Sequence, residues 1–190
     1  MSTVYTFNNK VLKNSATDKW LAKKEIPMEV QIGNQIWKTK NLAIDDGLGG
    51  IYTQTVNYGQ GDVVEYYYTW DAAVRVAASI SGWHLPTKTE WDTLITTAGG
   101  DSIAGTKLKS TYGWIDNGNG TDDYGFTILP AGDWSPYSGP IDFGRYAYFW
   151  SATENSSSAY CTNITKFNGM ITTWGTESKT YSMSLRLVKD

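Results

Sequence analysis

Few residues in this chain have the type and spacing to do chemistry. There is one cysteine, Cys161, and one histidine, His84. A single thiol forms no internal disulfide and builds no cysteine cluster of the kind that holds structural zinc. His84 stands in Trp-His-Leu-Pro with no Ser or Cys partner indicated, so a structural hydrogen-bonding role is expected of it. Glu90 and Asp92 read as a helix cap and a solvated face before they read as an acid–base couple. The segment DNGNGTDD, Asp116 to Asp123, alternates Asp, Asn and Gly as calcium loops do. It lacks the spacing and terminal bidentate Glu of an EF-hand, and turn chemistry is the better reading. No catalytic residue, metal or cofactor is assigned.

The unusual stretch is FWSATENSSSAYCTN, Phe149 to Asn163, where an aromatic motif runs into three serines and then into a strand-like segment without clean apolar alternation. Asn168-Gly169 is a strong two-residue hairpin signal, which predicts that Tyr160–Phe167 and Met170–Trp174 pair around it. One face then carries Tyr160, Thr162, Ile164, Ile171 and Thr173, suited to burial. The other carries Cys161, Asn163, Thr165, Thr172 and Trp174, mixed in size and chemistry as a recognition surface is, with Trp174 as its anchor. With the serine loop over its edge and the strand continued, the candidate ligand-binding set is Asn155, Ser157, Ser158, Cys161, Asn163, Thr165, Thr172, Trp174 and Thr176. The bland alternative for Ser156–Ser158 is a solvated loop.

The elements that position this set are read from composition and period. The chain has 190 residues and 41% hydrophobic residues, with nine Trp and thirteen Tyr, which is enough bulky apolar material for one core. A net charge of -3 without Lys or Arg clusters argues against a nucleic-acid partner. No run of about 18 apolar residues predicts insertion into a membrane, and no signal peptide is visible. Residues 1–27 read as a small N-terminal segment, a strand pair or arm that could serve assembly or attachment. From Met28, alternation up to Gly33-Asn34 and on through Gln35-Ile36-Trp37 predicts a hairpin. Residues 45–63 read as a Gly-rich surface loop without phosphate-loop spacing.

Two helices are expected. Thr69 precedes a stripe of Trp70, Ala73, Val74 and Ala77, and a Thr87/Glu90 capping box precedes Trp91, Leu94, Ile95 and Ala98, with Gly99-Gly100 as the stop. After residue 100 no helix is expected and short strands and turns fill the rest. Alternation of Tyr181, Met183, Leu185 and Leu187 with Ser182, Ser184 and Arg186 predicts a central strand with one buried face. Trp37, Trp70, Trp83, Trp91 and Trp150 are assigned to the core. The fold class expected is α+β.

Seven strings follow in order: GNQIWKTKNL, YYTWDAA, SGWHLPTKTEW, AGTKLKS, GTDDYGFTILPAG, FWSATE and SLRLVKD. Over residues 28–190 they resemble the Fibrobacter succinogenes major paralogous domain, of the C-type-lectin-like and formylglycine-generating-enzyme-like superfamily. The resemblance implies a C-type-lectin-like fold of two helices, small antiparallel sheets and long loops. It also implies a variable ligand-binding part over residues 149–190, of the kind varied by diversity-generating retroelements in phage tail and bacterial display proteins. The expected partner is a protein or glycan receptor on a cell surface, the expected location a phage virion or bacterial surface, and a homo-oligomer stays open. The enzymatic branch needs two active-site cysteines for copper, and this chain has one. The alternatives are therefore a formylglycine-generating-enzyme-like oxidoreductase, which fails on ligand count, and a structural cell-surface paralogue.

Overall fold

The computed structural model describes residues 5–7, 10–12 and 28–190. At the N-terminus β1 (Tyr5–Phe7) and β2 (Lys10–Leu12) pair antiparallel; the remainder of the expected 1–27 segment lies outside the described residues. The expected hairpin is β3 (Glu29–Ile32) and β4 (Gln35–Lys38), turned at Gly33, whose φ of 59° is the positive value that favours Gly there. Then come β5 (Ile51–Asn57), β6 (Asp62–Thr69), helix α1 (Trp70–Ala78), β7 (Trp83–His84), helix α2 (Lys88–Thr97) and the short α3 (Ala104–Leu108). The second half holds β8 (Asp133–Ser135), β9 (Gly139–Ile141), β10 (Tyr146–Asn155), β11 (Ser158–Thr165), β12 (Ile171–Ser178), β13 (Ser182–Met183) and β14 (Val188–Lys189).

This order overturns the expected α+β, C-type-lectin-like class of two helices with small sheets and long loops. The described chain is mostly β, with fourteen strands against three short helices. Both expected helices are present, and the error lies in what surrounds them. Residues 45–63 were expected to be loop, yet β5 and β6 pair from Ile51↔Tyr68 to Asn57↔Asp62. Glycines flank that hairpin and polar Thr and Gln fill it, so it lacks the apolar alternation that marks a strand with one buried face. The five-residue α3 is a second departure, too short to leave a helical period in the sequence.

Both predicted helices use the expected start signals. The Thr69 hydroxyl accepts from the Ala72 N–H, and Thr87 and Glu90 form the reciprocal capping box. In α1 the buried residues are Ala72, Ala73, Val76 and Ala77, while Val74 is exposed, so the helix is rotated from the expected stripe. In α2 the buried residues are Trp91, Leu94 and Ile95.

The packing divides into two apolar clusters. One joins α2 to Trp37, Phe126, Ala147, Phe149, Ile164 and Ile171, with Trp37 and Trp91 rings 4.9 Å apart; the other joins α1 to Tyr68, Trp150, Cys161, Met183 and Leu185. Trp37, Trp91 and Trp150 are fully buried as expected, whereas Trp70 and Trp83 are half-buried, each with a lysine ammonium over its ring.

The last segment was expected to bury one face and buries both. β13 lies between β6 and β8, and β14 between β4 and β7, so the segment is central; Ser182, Ser184 and Arg186 are nevertheless buried like their apolar neighbours. Arg186 is tolerated inside because its guanidinium donates to the carbonyls of Phe126 (2.6 Å) and Lys38 (3.2 Å) and to Asn41 Oδ1 (3.0 Å), and stacks over the Phe126 ring. Asn41 in turn donates to the buried Glu65 carboxylate, which also accepts from the Tyr58 hydroxyl at 3.0 Å.

Candidate functional site

Strands β10, β11 and β12 form one three-stranded antiparallel sheet, and its two faces meet different surroundings. Ala147, Phe149, Thr162, Ile164 and Ile171 are buried on the α2 side. On the opposite side, Tyr146 and Tyr148 lie across from Thr165 and Asn163, and Asn163 lies across from Thr172; all five are half-buried. The two tyrosine rings stack at 5.7 Å and 16°, and the Thr172 hydroxyl donates to Asn163 Oδ1 at 3.1 Å. The result is a firm aromatic and amide surface on a rigid backing.

The turn that fixes this sheet is not the one Asn168-Gly169 predicts. Ile164 pairs with Ile171, so the connection spans residues 165–170, and neither Asn168 nor Gly169 takes the positive φ of a type I′ turn. Outside contacts override the local preference. The Gly105 N–H donates to the Gly169 carbonyl (2.8 Å), the Ile171 N–H to the Asp101 carbonyl (3.0 Å), and the buried Lys109 ammonium to the carbonyls of Thr165 and Asn168 (both 3.2 Å). Lys166 is pinned to Asp116. The slip is two residues, so the expected sorting of faces survives near the turn.

Further along it does not survive. Asn163 pairs with Thr172 but Cys161 with Gly175, so β12 carries one extra residue, a bulge at Thr173-Trp174. Thr176 then falls opposite Tyr160, on the far side from Cys161, and Glu177 falls opposite Ala159. Gly175 inside a strand was the available signal of a bulge.

Cys161 is a second correction. It is 3% exposed, packed with Trp150 and α1, and hydrogen-bonded from Sγ to the Gly175 carbonyl at 3.8 Å, so it is core and not a recognition residue. Burial first, then the nearby Glu177 and Asp133 carboxylates, pushes its thiol up to about 12. Asn155, Ser157 and Ser158 sit at the β10–β11 turn, which Ser156 makes with a φ of 56°. Five residue steps of strand lead from Ser158 in that turn to Asn163, about 17 Å. The nine predicted residues are therefore brought together only in part: Asn163, Thr165 and Thr172 share a patch with Tyr146 and Tyr148, which sequence reasoning missed. Trp174 belongs to the bulge by its backbone.

Beside this patch lie carboxylates that also escaped notice. Tyr148 donates from its hydroxyl to Asp142 Oδ2 at 3.3 Å. Asp133 on β8 is 5% exposed with Oδ1 unpartnered, and burial, then the charges of Asp142 and Glu177, raises its pKa to about 7.

The other chemical candidates are occupied structurally. His84 receives or donates through Nδ1 to Asp190 (2.7 Å) and through Nε2 to Glu90 (2.8 Å). Asp92 pairs with Lys88 and accepts from Thr173. Asp122 accepts from the Thr127 N–H and hydroxyl (2.8 and 2.7 Å), and Asn119 accepts from the Trp114 N–H (3.0 Å), so the 116–123 segment spends these oxygens on its own turns.

The molecule is thus a mostly β domain presenting one half-exposed sheet face. The family model of the Fibrobacter succinogenes major domain matches residues 30–189, and the chain belongs to that family. No curated protein and no solved structure matches it.

Proposed function

We propose that this chain is a non-enzymatic binding domain whose β10–β12 face takes a protein or glycan receptor at a cell surface. The observation that carries the reading is the pairing of a stacked Tyr146–Tyr148 wall with the Asn163–Thr172 hydrogen-bonded pair, over a backing of buried Phe149, Ile164 and Ile171. Aromatic faces give large contact area at low entropic cost, and an amide next to them supplies directional polar contact. Because the backing is rigid, the face can vary without unfolding the domain, which suits diversification by a retroelement and display on a virion or bacterial surface. A near-identical template repeat and a reverse transcriptase in the flanking DNA would be the mark of that mechanism.

The oxidoreductase reading is disfavoured by the chemistry of its required residue: the single thiol is buried and held protonated far above neutral pH. The binding test uses Tyr146→Ala and Asn163→Ala in adhesion to whole cells and on a glycan array. Each variant loses binding at least tenfold while its melting temperature stays within about 2 °C of the parent. Unchanged binding by both variants, or stoichiometric copper uptake with turnover of a cysteine peptide, would replace this reading.

A further inference from the structure

We infer that β5 is an open pairing edge whose partner is β5 of a second copy, joined antiparallel about a two-fold axis at Gln54. In the five-stranded sheet β5 is an outer strand, bonded to β6 alone among the described residues. The Thr69 N–H donates to the Gly50 carbonyl at 2.8 Å, which fixes the alternation of the ladder. Hydrogen bonds to β6 therefore run through Gly50, Tyr52, Gln54 and Val56, and the N–H and C=O groups of Ile51, Thr53, Thr55 and Asn57 point out of the sheet.

Protein edges of this length normally carry a device against pairing; three of the other outer strands have one, and β10 is interrupted by a register shift between Trp150 and Glu154. The strand β9 is three residues long and contains Pro140, β3 carries Glu29, and β12 has its bulge and Glu177. By contrast β5 is seven residues, Ile-Tyr-Thr-Gln-Thr-Val-Asn, with no charge, no proline and no bulge against β6. Its centre, Thr53-Gln54-Thr55, reads the same from either end. A two-fold pair sets Thr53 opposite Thr55 of the second copy, Tyr52 opposite Val56, and Gln54 opposite its own equivalent. Thr–Thr and aromatic–β-branched pairs are favourable cross-strand neighbours, and no like charges meet. The outward groups of Thr53 and Thr55 fall at the hydrogen-bonded positions of such a pair, so the same geometry satisfies backbone and side chains together. Tyr52, 40% exposed and stacked on Trp134 at 5.0 Å, would be covered by the join.

The experiment is sedimentation of the full chain from about 1 to about 300 μM, with amide hydrogen exchange at both ends of that range. A mass rising to twice that of the chain, with Thr53 and Thr55 amides gaining protection as concentration rises, is the expected result. Thr53→Pro removes one outward N–H and leaves the β6 ladder intact, and T53K/T55K sets lysine against lysine across the two-fold. Both variants remain monomeric across the range with an unchanged circular dichroism spectrum. Three results overturn the inference: a wild-type chain monomeric at about 300 μM, a dimer indifferent to both variants, or protection of Thr53 and Thr55 that does not depend on concentration. The last would assign the edge to a segment of the same chain.

Discussion

At the scale of single residues, Asp133 and Arg186 are both ionisable and buried, and the two burials have opposite consequences. Asp133 has a folded pKa near 7 against an ordinary 3.8. A raised folded value means stability that is complete below the ordinary pKa and lost as pH climbs from about 4 to about 7, because the native state resists giving up the proton. Asp133→Asn cannot ionise, so its melting temperature relative to the parent rises between about pH 4 and about pH 7 and then levels off, and a flat difference in parallel melts would refute the assignment. Arg186 is compensated instead. Removing its guanidinium leaves the buried Phe126 and Lys38 carbonyls without their donor, so Arg186→Met costs about 3 kcal/mol or more in a urea titration, and Arg186→Lys, which lacks the planar fork, recovers little of it. Neither residue announces this in the sequence. Arg186 sits at a polar position of an alternating run, where solvent exposure is the natural reading, and only two-sided packing contradicts it.

At the scale of elements, legibility follows how local the determining forces are. The helices were legible because their caps and stripes act within a few residues, as Thr87 and Glu90 do. The β3–β4 hairpin was legible for the same reason, since Gly33 supplies its own positive φ. The β11–β12 connection was legible only to within two residues, because Asn168-Gly169 is outvoted by α3 and by Lys109. The patch partners Tyr146 and Tyr148 were invisible, since cross-strand neighbours are set by register and a bulge that no short string encodes. The 165–170 turn is therefore held by a clamp from outside the sheet. A Cβ on Gly169 would meet Thr106 Oγ1 at 2.6 Å and the Ser102 carbonyl at 2.7 Å. Gly169→Ala and Lys109→Met therefore loosen the 165–170 turn. Amide exchange at Ile171, bonded to the Asp101 carbonyl, speeds up at least tenfold in each variant while that of β3 and β4 stays as in the parent. Equal acceleration everywhere would mean that the turn is not a separate clamp.

At the scale of the whole molecule, one segment links the sheets. Residues 182–189 place β13 between β6 and β8, bridge Ser184 to Phe149 of β10, and place β14 between β4 and β7. The last residues also hold His84 through Asp190 while Glu90 of α2 holds its other nitrogen. Burial alone would lower the His84 pKa, but the two carboxylates outweigh it and the value is raised. The sign of the linkage follows: this contribution is complete below the ordinary pKa of 6.5 and fades as pH rises through the higher folded value. Wild-type stability should thus fall between about pH 6 and pH 8 by more than that of His84→Gln, once the separate Asp133 contribution is removed by measuring both in the Asp133→Asn background. Since every sheet from β3 onward is tied to this final segment directly or through β10, unfolding has no independent unit to leave standing. A chain ending at Tyr181 would expose the edges of β4, β6, β7 and β8 and the apolar faces that Met183, Leu185 and Leu187 cover. It is expected to lose the cooperative thermal transition altogether, in far-ultraviolet and near-ultraviolet circular dichroism alike, and a surviving partial transition assigned to β10–β12 would instead make that sheet an autonomous platform.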